Sequence, residues 1–453
     1  MSASLRVAAL ALVATSACAG EVLPTAIDLR PTSTTASAAP RPERAAPVAF
    51  CGMAIPEDAT EVFCESEDVA DVEPLSRLTK LEKLSLRFTR VTDLSPLAGL
   101  GALRELAVQG PSSDEECARL GCSESYFGAA RPDIGFVPPP LVAPLEDLRP
   151  LAKLTSLEVL RLGGTKVADL SPLAGLAKLR VLDLRRSRVA TIPPGALPRG
   201  LVTLDLTGAP LASAPGLAEL HELEDLDLWG TKLAALPPIG ELKKLRRLRY
   251  WSLAAQLERI DAIGPLDALE ELTLTDAQKL DLSPLRGKTR LRDLTLSNVG
   301  LVGLEPLAGL DSLARLELEA WRDGPGPSVT LSLAPLAKLR GLVELTAVGH
   351  VGDFASLGKI ASLRSLEIGG DLKNWVSIDL APLRTLTKLT RLSVRDGEVT
   401  SHAPLRAMSS LEELRLTDTK AVALDAIGEL SGLKKLDYEV WAPVRIESFS
   451  KLR

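Results

Sequence analysis

Apolar residues along this 453-residue chain fall in a recurring run with leucine at positions one, four and six, as at Leu157/Leu160/Leu162, Leu179/Leu182/Leu184, Leu201/Leu204/Leu206 and Leu223/Leu226/Leu228. Inside each run apolar and polar side chains alternate, as in Leu182, Asp183, Leu184, Arg185. That two-residue period predicts a strand with one buried face. The first leucines stand at Leu81, Leu103, Leu157, Leu179, Leu201, Leu223, Leu245, Leu269, Leu291, Leu313, Leu342, Leu363, Leu389, Leu411 and Leu433, and nine of the fourteen steps between them are 22 residues. The remaining steps place insertions after Leu103, Leu245, Leu313 and Leu363, plus one shortened step, all between strands where loops tolerate changes in length. Ala59, Val62 and Cys64 lie 22 residues before Leu81, Leu84 and Leu86 and predict a degenerate first unit acting as the N-terminal cap.

A unit this short cannot bury its own apolar edge, so copies must stack into one continuous core. The expected fold is α/β, a right-handed leucine-rich-repeat solenoid. A curved parallel sheet would line its concave face and short helical or 3-10 turns its convex face. The return half of the unit reads Asp-Leu-Ser-Pro-Leu at Asp93 to Leu97, Asp169 to Leu173 and Asp281 to Leu285. Here serine is expected to cap the turn, and proline at its first position loses no hydrogen bond. The ninth position carries Thr89, Thr165, Ser187, Thr231 and Thr419, where many leucine-rich repeats carry asparagine. The 22-residue length, threonine at this step and the LxPLxxLxxL return resemble the bacterial internalin repeats and the related repeat of a regulatory subunit of type-one protein phosphatase, over roughly residues 59 to 453. The shared residues are core residues. The resemblance therefore implies a fold and a scaffold that binds proteins through variable concave positions, without naming a partner.

The N-terminus carries a second signal: Arg6, an apolar run from Val7 to Ala14, then Thr15, Ser16, Ala17 and Cys18. The run is too short to span a bilayer and reads as an export signal over 1–18. Small residues ahead of Cys18 resemble the bacterial lipobox, in which the cysteine is lipidated, although Thr15 departs from the usual leucine. An ordinary cut at Ala17 to Ala19 would instead release an unlipidated chain. Residues 19–50, rich in alanine, proline, serine and threonine, are expected to form a disordered tether. A cap and degenerate repeat follow at 51–80, then the solenoid at 81–453 with an insertion at 111–142. The repeat phase continues to Ile446, Phe449 and Leu452, so no separate C-terminal domain is expected.

Setting Cys18 aside leaves Cys51, Cys64, Cys117 and Cys122, an even four that suits two disulfides in an oxidising compartment. Three pairings are possible, and proximity favours Cys51 with Cys64 and Cys117 with Cys122. A zinc site is the alternative, but no CxxC pair or nearby histidine accompanies them.

Charge narrows the partners. The net charge is −6, and arginines alternate with acids along the sheet, so no basic surface for nucleic acid is expected. After the leader, every apolar stretch is broken at repeat spacing, which leaves an N-terminal lipid as the expected membrane contact. His221, His350 and His402 are scattered without partners by spacing, and no phosphate loop, HExxH or GxSxG motif occurs. Neither catalysis nor a cofactor or metal is expected.

What remains is the outward face of the strands. By phase, Arg161, Asp183, Arg185, Asp205, Asp227, Trp229, Arg249 and Trp251 form one patch from five consecutive units. Trp229 and Trp251 should lie side by side on adjoining strands, flanked by Asp227 and Arg249. Tryptophan beside arginine is the composition of interface hot spots. The plainer reading is a cross-strand pair that stabilises the sheet. Trp321, Trp375 and Trp441 are expected to pack under loops. The insertion, with Cys117, Cys122, Tyr126, Phe127 and Phe136, is either a second contact element or a flap over the sheet edge. Two functions follow as expectations: an exported, monomeric, non-enzymatic scaffold for a protein ligand, or an envelope-associated module in which the tryptophans bind glycan or cell-wall material.

Overall fold

Every leucine run becomes one strand of a parallel sheet in the computed structural model, which describes residues 46–110, 143–319, 332–349, 354–370, 376–419 and 424–440. Among the described residues sixteen strands follow one another repeat by repeat, from Glu61–Glu65 to Lys435–Val440. Their register matches the sequence period. Val62, Leu84, Leu106, Leu160, Leu182, Leu204, Leu226 and Leu248 stand opposite one another across successive strands, and the row continues through Leu272, Leu294, Leu316, Leu345, Leu366, Leu392, Leu414 and Leu436. Among the described residues no pairing joins the last strand to the first, so the sheet is an open, curved ribbon and the chain is a leucine-rich-repeat solenoid. The degenerate first unit is one of these strands: Val62 and Cys64 point inward at 3% and 2% exposure.

Two inward positions of each strand and the leucines of each return make one continuous core. In a single repeat Leu170, Leu173, Leu176, Leu179, Leu182 and Leu184 are all buried. The returns are 3-10 turns such as Ser95–Gly99, Ser171–Leu173 and Ser283–Leu285, each with proline at its start.

Their cap differs from the expected one. Serine lies inside the turn, and the aspartate two residues earlier accepts the free backbone N–H: Asp93 Oδ1 from Ser95 N at 2.8 Å, Asp169 from Ser171 at 2.9 Å and Asp281 from Ser283 at 2.9 Å. The Ser95 and Ser283 hydroxyls donate to the same carboxylates, so serine buttresses the cap instead of supplying it. These bonds hold the Asp93, Asp169 and Asp281 carboxyls below their usual range. Where aspartate is absent, Ser332 or Ser401 occupies its place and accepts from Ala334 or Ala403.

At the ninth position the Thr165 and Thr231 hydroxyls donate to Leu162 O at 2.7 Å and Leu228 O at 3.1 Å. Just before it the backbone turns left-handed, at Gly164, Gly208 and Gly230 but also at Asp276 (φ 62°), Asn298 (φ 55°) and Asp396 (φ 51°). Glycine, asparagine and aspartate tolerate this conformation best.

The last residues of the expected 19–50 tether form a strand. Val48–Phe50 pairs antiparallel with Met53–Ile55 through a two-residue turn, Cys51-Gly52, in which both residues have positive φ. Val48 and Phe50 are buried against the first repeats, so the end of the expected tether belongs to the core. Cys51 forms a disulfide with Cys64, so the hairpin is tied across the end of the core. Cys18, Cys117, Cys122, the insertion 111–142, Trp321, Trp375 and Trp441 lie outside the described residues.

Three outward side chains per repeat form rows along the concave face, as Val181, Asp183 and Arg185 do. In the first row, and at the position before it, many charges face an opposite charge on a neighbouring repeat. Lys83 sits between Glu61 and Glu105 at 3.4 and 3.6 Å, and Arg246 between Glu224 and Glu270 at 3.7 and 2.9 Å. Arg247 bonds Asp225 at 2.6 Å and Arg315 bonds Asp293 at 2.8 Å. Each exposed pair adds little stability alone.

The concave face as candidate interaction site

Parallel register brings all eight expected residues onto one surface. Arg161, Asp183, Asp205, Asp227 and Arg249 are consecutive in the second row. Arg185, Trp229 and Trp251 project beside them from the third.

Three adjacent carboxylates repel, and two devices hold them. Each accepts the backbone N–H two residues ahead: Asp183 from Arg185 at 3.0 Å, Asp205 from Thr207 at 2.9 Å and Asp227 from Trp229 at 3.0 Å. Guanidinium groups supply the rest. Arg185 lies 2.7 Å from Asp183 and 3.4 Å from Asp205, while Arg249 lies 2.6 Å from Asp227. Arg161 turns to Glu105 at 3.9 Å instead. Three carboxylates therefore share two cations, and the surplus falls on Asp205. Burial, with Asp227 and Asp183 beside it, pushes the Asp205 carboxyl up to about 6. Asp183 departs from the expected contact role, because it is only 6% exposed and also accepts from Gln109 Nε2 at 3.3 Å. It clamps the sheet.

The tryptophans meet across adjoining strands with ring centroids 5.2 Å apart and planes at 53°. The Arg249 guanidinium lies 5.2 Å over the Trp229 ring, a cation–π contact. Trp251 Nε1 donates to the Asp276 carboxylate, which also accepts from Asn298 Nδ2. Both rings are thus fixed before any ligand arrives. Asp276 and Asn298 were not legible as site residues. Their signal was a left-handed position that favours aspartate and asparagine, one repeat apart.

A second charged group lies further along the same rows. Arg395 bonds Glu319 at 2.9 Å and Glu367 at 3.1 Å, and Glu317 faces both acids. Burial, then Glu319 and Glu367, raise the Glu317 carboxyl. Irregular steps between repeats in this stretch hid the phase.

Away from the face, His402 is buried and its imidazole is pushed down by burial, while His221 is exposed. His350 lies outside the described residues. No cluster of three or more metal-ligating side chains occurs among the described residues, and no helix among them is long and apolar enough to cross a membrane.

The class defined by this architecture is the leucine-rich-repeat solenoid. A leucine-rich-repeat protein of Leptospira interrogans is similar over 82% of this chain and 88% of its own, at 18% identity and a TM-score of 0.60. The ectodomain of the Arabidopsis receptor kinase HAESA, solved with an IDA peptide hormone ligand, is similar over 83% of this chain and 61% of its own, at 15% identity and a TM-score of 0.50. An internalin from Listeria monocytogenes, InlF, aligns over 88% of this chain and 86% of its own at 21% identity, with a TM-score of 0.42. At these identities the first two likenesses establish the fold alone. No protein-family model and no curated protein matches the chain.

Proposed function

We propose that this protein is a non-enzymatic scaffold that binds a protein ligand through the concave face of its solenoid. The observation that carries this reading is the preorganised Trp229/Trp251 pair, held by Arg249 and Asp276 beside the Asp205 carboxylate. Aromatic anchors fixed before binding lose little entropy on association, and they are the residues that dominate interface energetics. The HAESA ectodomain, with its peptide hormone, is a solenoid of the same class in complex with a peptide. The glycan reading has less in its favour, since a sugar stacks on an open ring face and one face of Trp229 carries Arg249.

The chain is exported in this reading, either anchored through lipidated Cys18 or released by cleavage at Ala17 to Ala19. A disulfide between Cys51 and Cys64 suits an oxidising compartment. The insertion 111–142 remains a candidate second contact element.

The test is capture from envelope extracts by the full chain, comparing wild type with a Trp229→Ala/Trp251→Ala variant whose circular dichroism is unchanged. A protein retained by wild type and lost by the variant supports the scaffold. Equal retention overturns the tryptophan patch, and retained glycan without protein supports the alternative.

A further inference from the structure

The turns that lead into the strands keep one length. From the last leucine of the return to the first of the strand is a step of three residues, as at Leu220/Leu223, Leu242/Leu245 and Leu266/Leu269, closed by a backbone bond such as Leu223 N to Leu220 O at 2.9 Å. The insertions after Leu103, Leu245, Leu313 and Leu363 all follow the other ends of the strands. One rim of the sheet is therefore regular, built in each repeat from two turn residues and the residue after the first strand leucine. Between Arg199 and Ala314 none of these is buried. They stack repeat upon repeat: Arg246 N donates to Glu224 O, Glu270 N to Arg246 O and Arg292 N to Glu270 O, each at 2.8 Å.

The charges on this rim are self-complementary. An arc turned about its own radius coincides with itself, so a twofold axis set between the Leu245 and Leu269 repeats lays the rim of a second copy antiparallel on the first. Arg246 then faces Glu270, Lys243 faces Asp267, and Glu224 faces Arg292. Further out Glu222 faces Arg290, Arg199 faces Asp311, and Val202 meets Ala314. Every charged pair in these three rim rows is opposite in sign, and symmetry makes each of them twice. Moving the axis half a repeat either way sets Glu224 against Glu270 or Arg246 against Arg292. One step inward, Arg247 faces Glu271. There Asp225 also faces Asp293, a like-charged pair whose members are held by Arg247 and Arg315 of their own chains.

A single copy leaves part of this rim without close partners. Lys243 donates to Gly240 O at 2.7 Å, yet Lys243, Arg290, Arg292 and Asp311 make no ion pair within their own chain among the described residues. Arg246, and then Arg292 and Arg290, hold the Glu270 carboxyl below its usual range, the last two without bonding it. A second copy offers an opposite charge to each of the four. Glu222 and Glu224, paired with Lys244 and Arg246 in their own chain, gain a second cation each.

We propose that this rim is an isologous interface through which two copies of the chain pair, in place of the monomer expected from the sequence. Five strand intervals of about 4.8 Å make the contact about 24 Å long, which belongs to the small, transient class of interfaces. Charge, and not apolar burial, sets its register. The concave faces lie off the contact, so the pairing is independent of what they bind.

Sedimentation of the full chain over a concentration series at low ionic strength is expected to show a monomer–dimer equilibrium. Salt at about 0.5 M should weaken it at least tenfold. Arg292→Glu and Glu224→Arg should each weaken self-association about tenfold, because each sets like charges together twice. Mixed in equal amounts, the two variants should form a heterodimer as stable as the wild-type dimer, since both exchanged pairs are again opposite in sign. Circular dichroism and melting of each variant alone check that it folds. A wild type that stays monomeric at low salt, a dimer indifferent to salt, or a mixture that restores nothing overturns the inference. Trp229→Ala/Trp251→Ala should dimerise as wild type does, and loss of the dimer there would move the contact to the concave face and overturn the rim.

Discussion

Lys288 occupies a core position on the convex side that Leu176, Leu220, Leu242, Leu266 and Leu310 fill in other repeats. Its side chain is 2% exposed, with Nζ donating to Gly264 O at 2.8 Å and lying 3.5 Å from the exposed Asp267. One carbonyl and one solvated carboxylate compensate only part of the several kcal/mol needed to desolvate an ammonium. Lys288→Met keeps the unbranched stem and removes the charge. It gives up one charge-assisted hydrogen bond of about 2 kcal/mol but avoids a larger desolvation cost, for a net gain of about 1 kcal/mol. Lys288→Ala also removes the charge but leaves a cavity among leucines, for a net loss of about 2 kcal/mol.

The two variants therefore move stability in opposite directions. Burial lowers the folded-state value of Lys288 below the ordinary lysine value. The penalty in wild type is full below that lowered value and fades as pH rises towards the unfolded lysine range. Guanidinium unfolding followed by circular dichroism should show the methionine variant ahead near neutral pH and the gap closing towards about pH 10. A methionine variant less stable than wild type near neutrality, or a gap that does not change with pH, would refute the reasoning.

Asp205→Asn should raise stability at neutral pH by about 1–2 kcal/mol, less than a full two-unit shift because Arg185 partly relieves the charge, and change nothing near pH 4. The sign follows from a folded value raised to about 6: the penalty is absent below the unfolded value of 3.8 and complete above 6. Denaturation at both pH values tests it, and equal gains at both contradict it. Cys51→Ser/Cys64→Ser should cost about 3 kcal/mol of local stability for a loop closed across a separation of 13 residues. Hydrogen exchange should then quicken at Glu61–Glu65 while the central strands keep their protection. On the convex side, Asp169→Ala should loosen its turn more than Ser171→Ala does, and exchange rates in the reverse order would restore serine as the cap.

Repeat length, strand register and the juxtaposition of Trp229 with Trp251 were legible because a 22-residue period converts directly into neighbours on a parallel sheet. Details that depend on three-dimensional competition were not. Ser95 and Asp93 both suit a cap, and only backbone geometry decides that the carboxylate reaches the N–H first. Asp183 shares its phase with Asp205, yet Gln109 from across the insertion reaches only Asp183. Lys288 leaves no mark on the repeat pattern because the leucines on either side, Leu285 and Leu291, keep the phase without it. Val48 and Phe50 looked like linker because the cover they provide belongs to the core's end, not to any repeat.

The opposite charges paired between neighbouring repeats also bear on the order in which repeats stack. A leucine core treats every repeat as interchangeable, so any strand could in principle neighbour any other. Excision of the repeat holding Arg246 and Arg247 would bring Glu224 and Asp225 against Glu270 and Glu271, four carboxylates where ion pairs now stand. That repeat thereby carries an address that its apolar face lacks. Loss of that repeat, or a folding intermediate that skips it, is marked by repulsion at the seam even though the leucines would still fit.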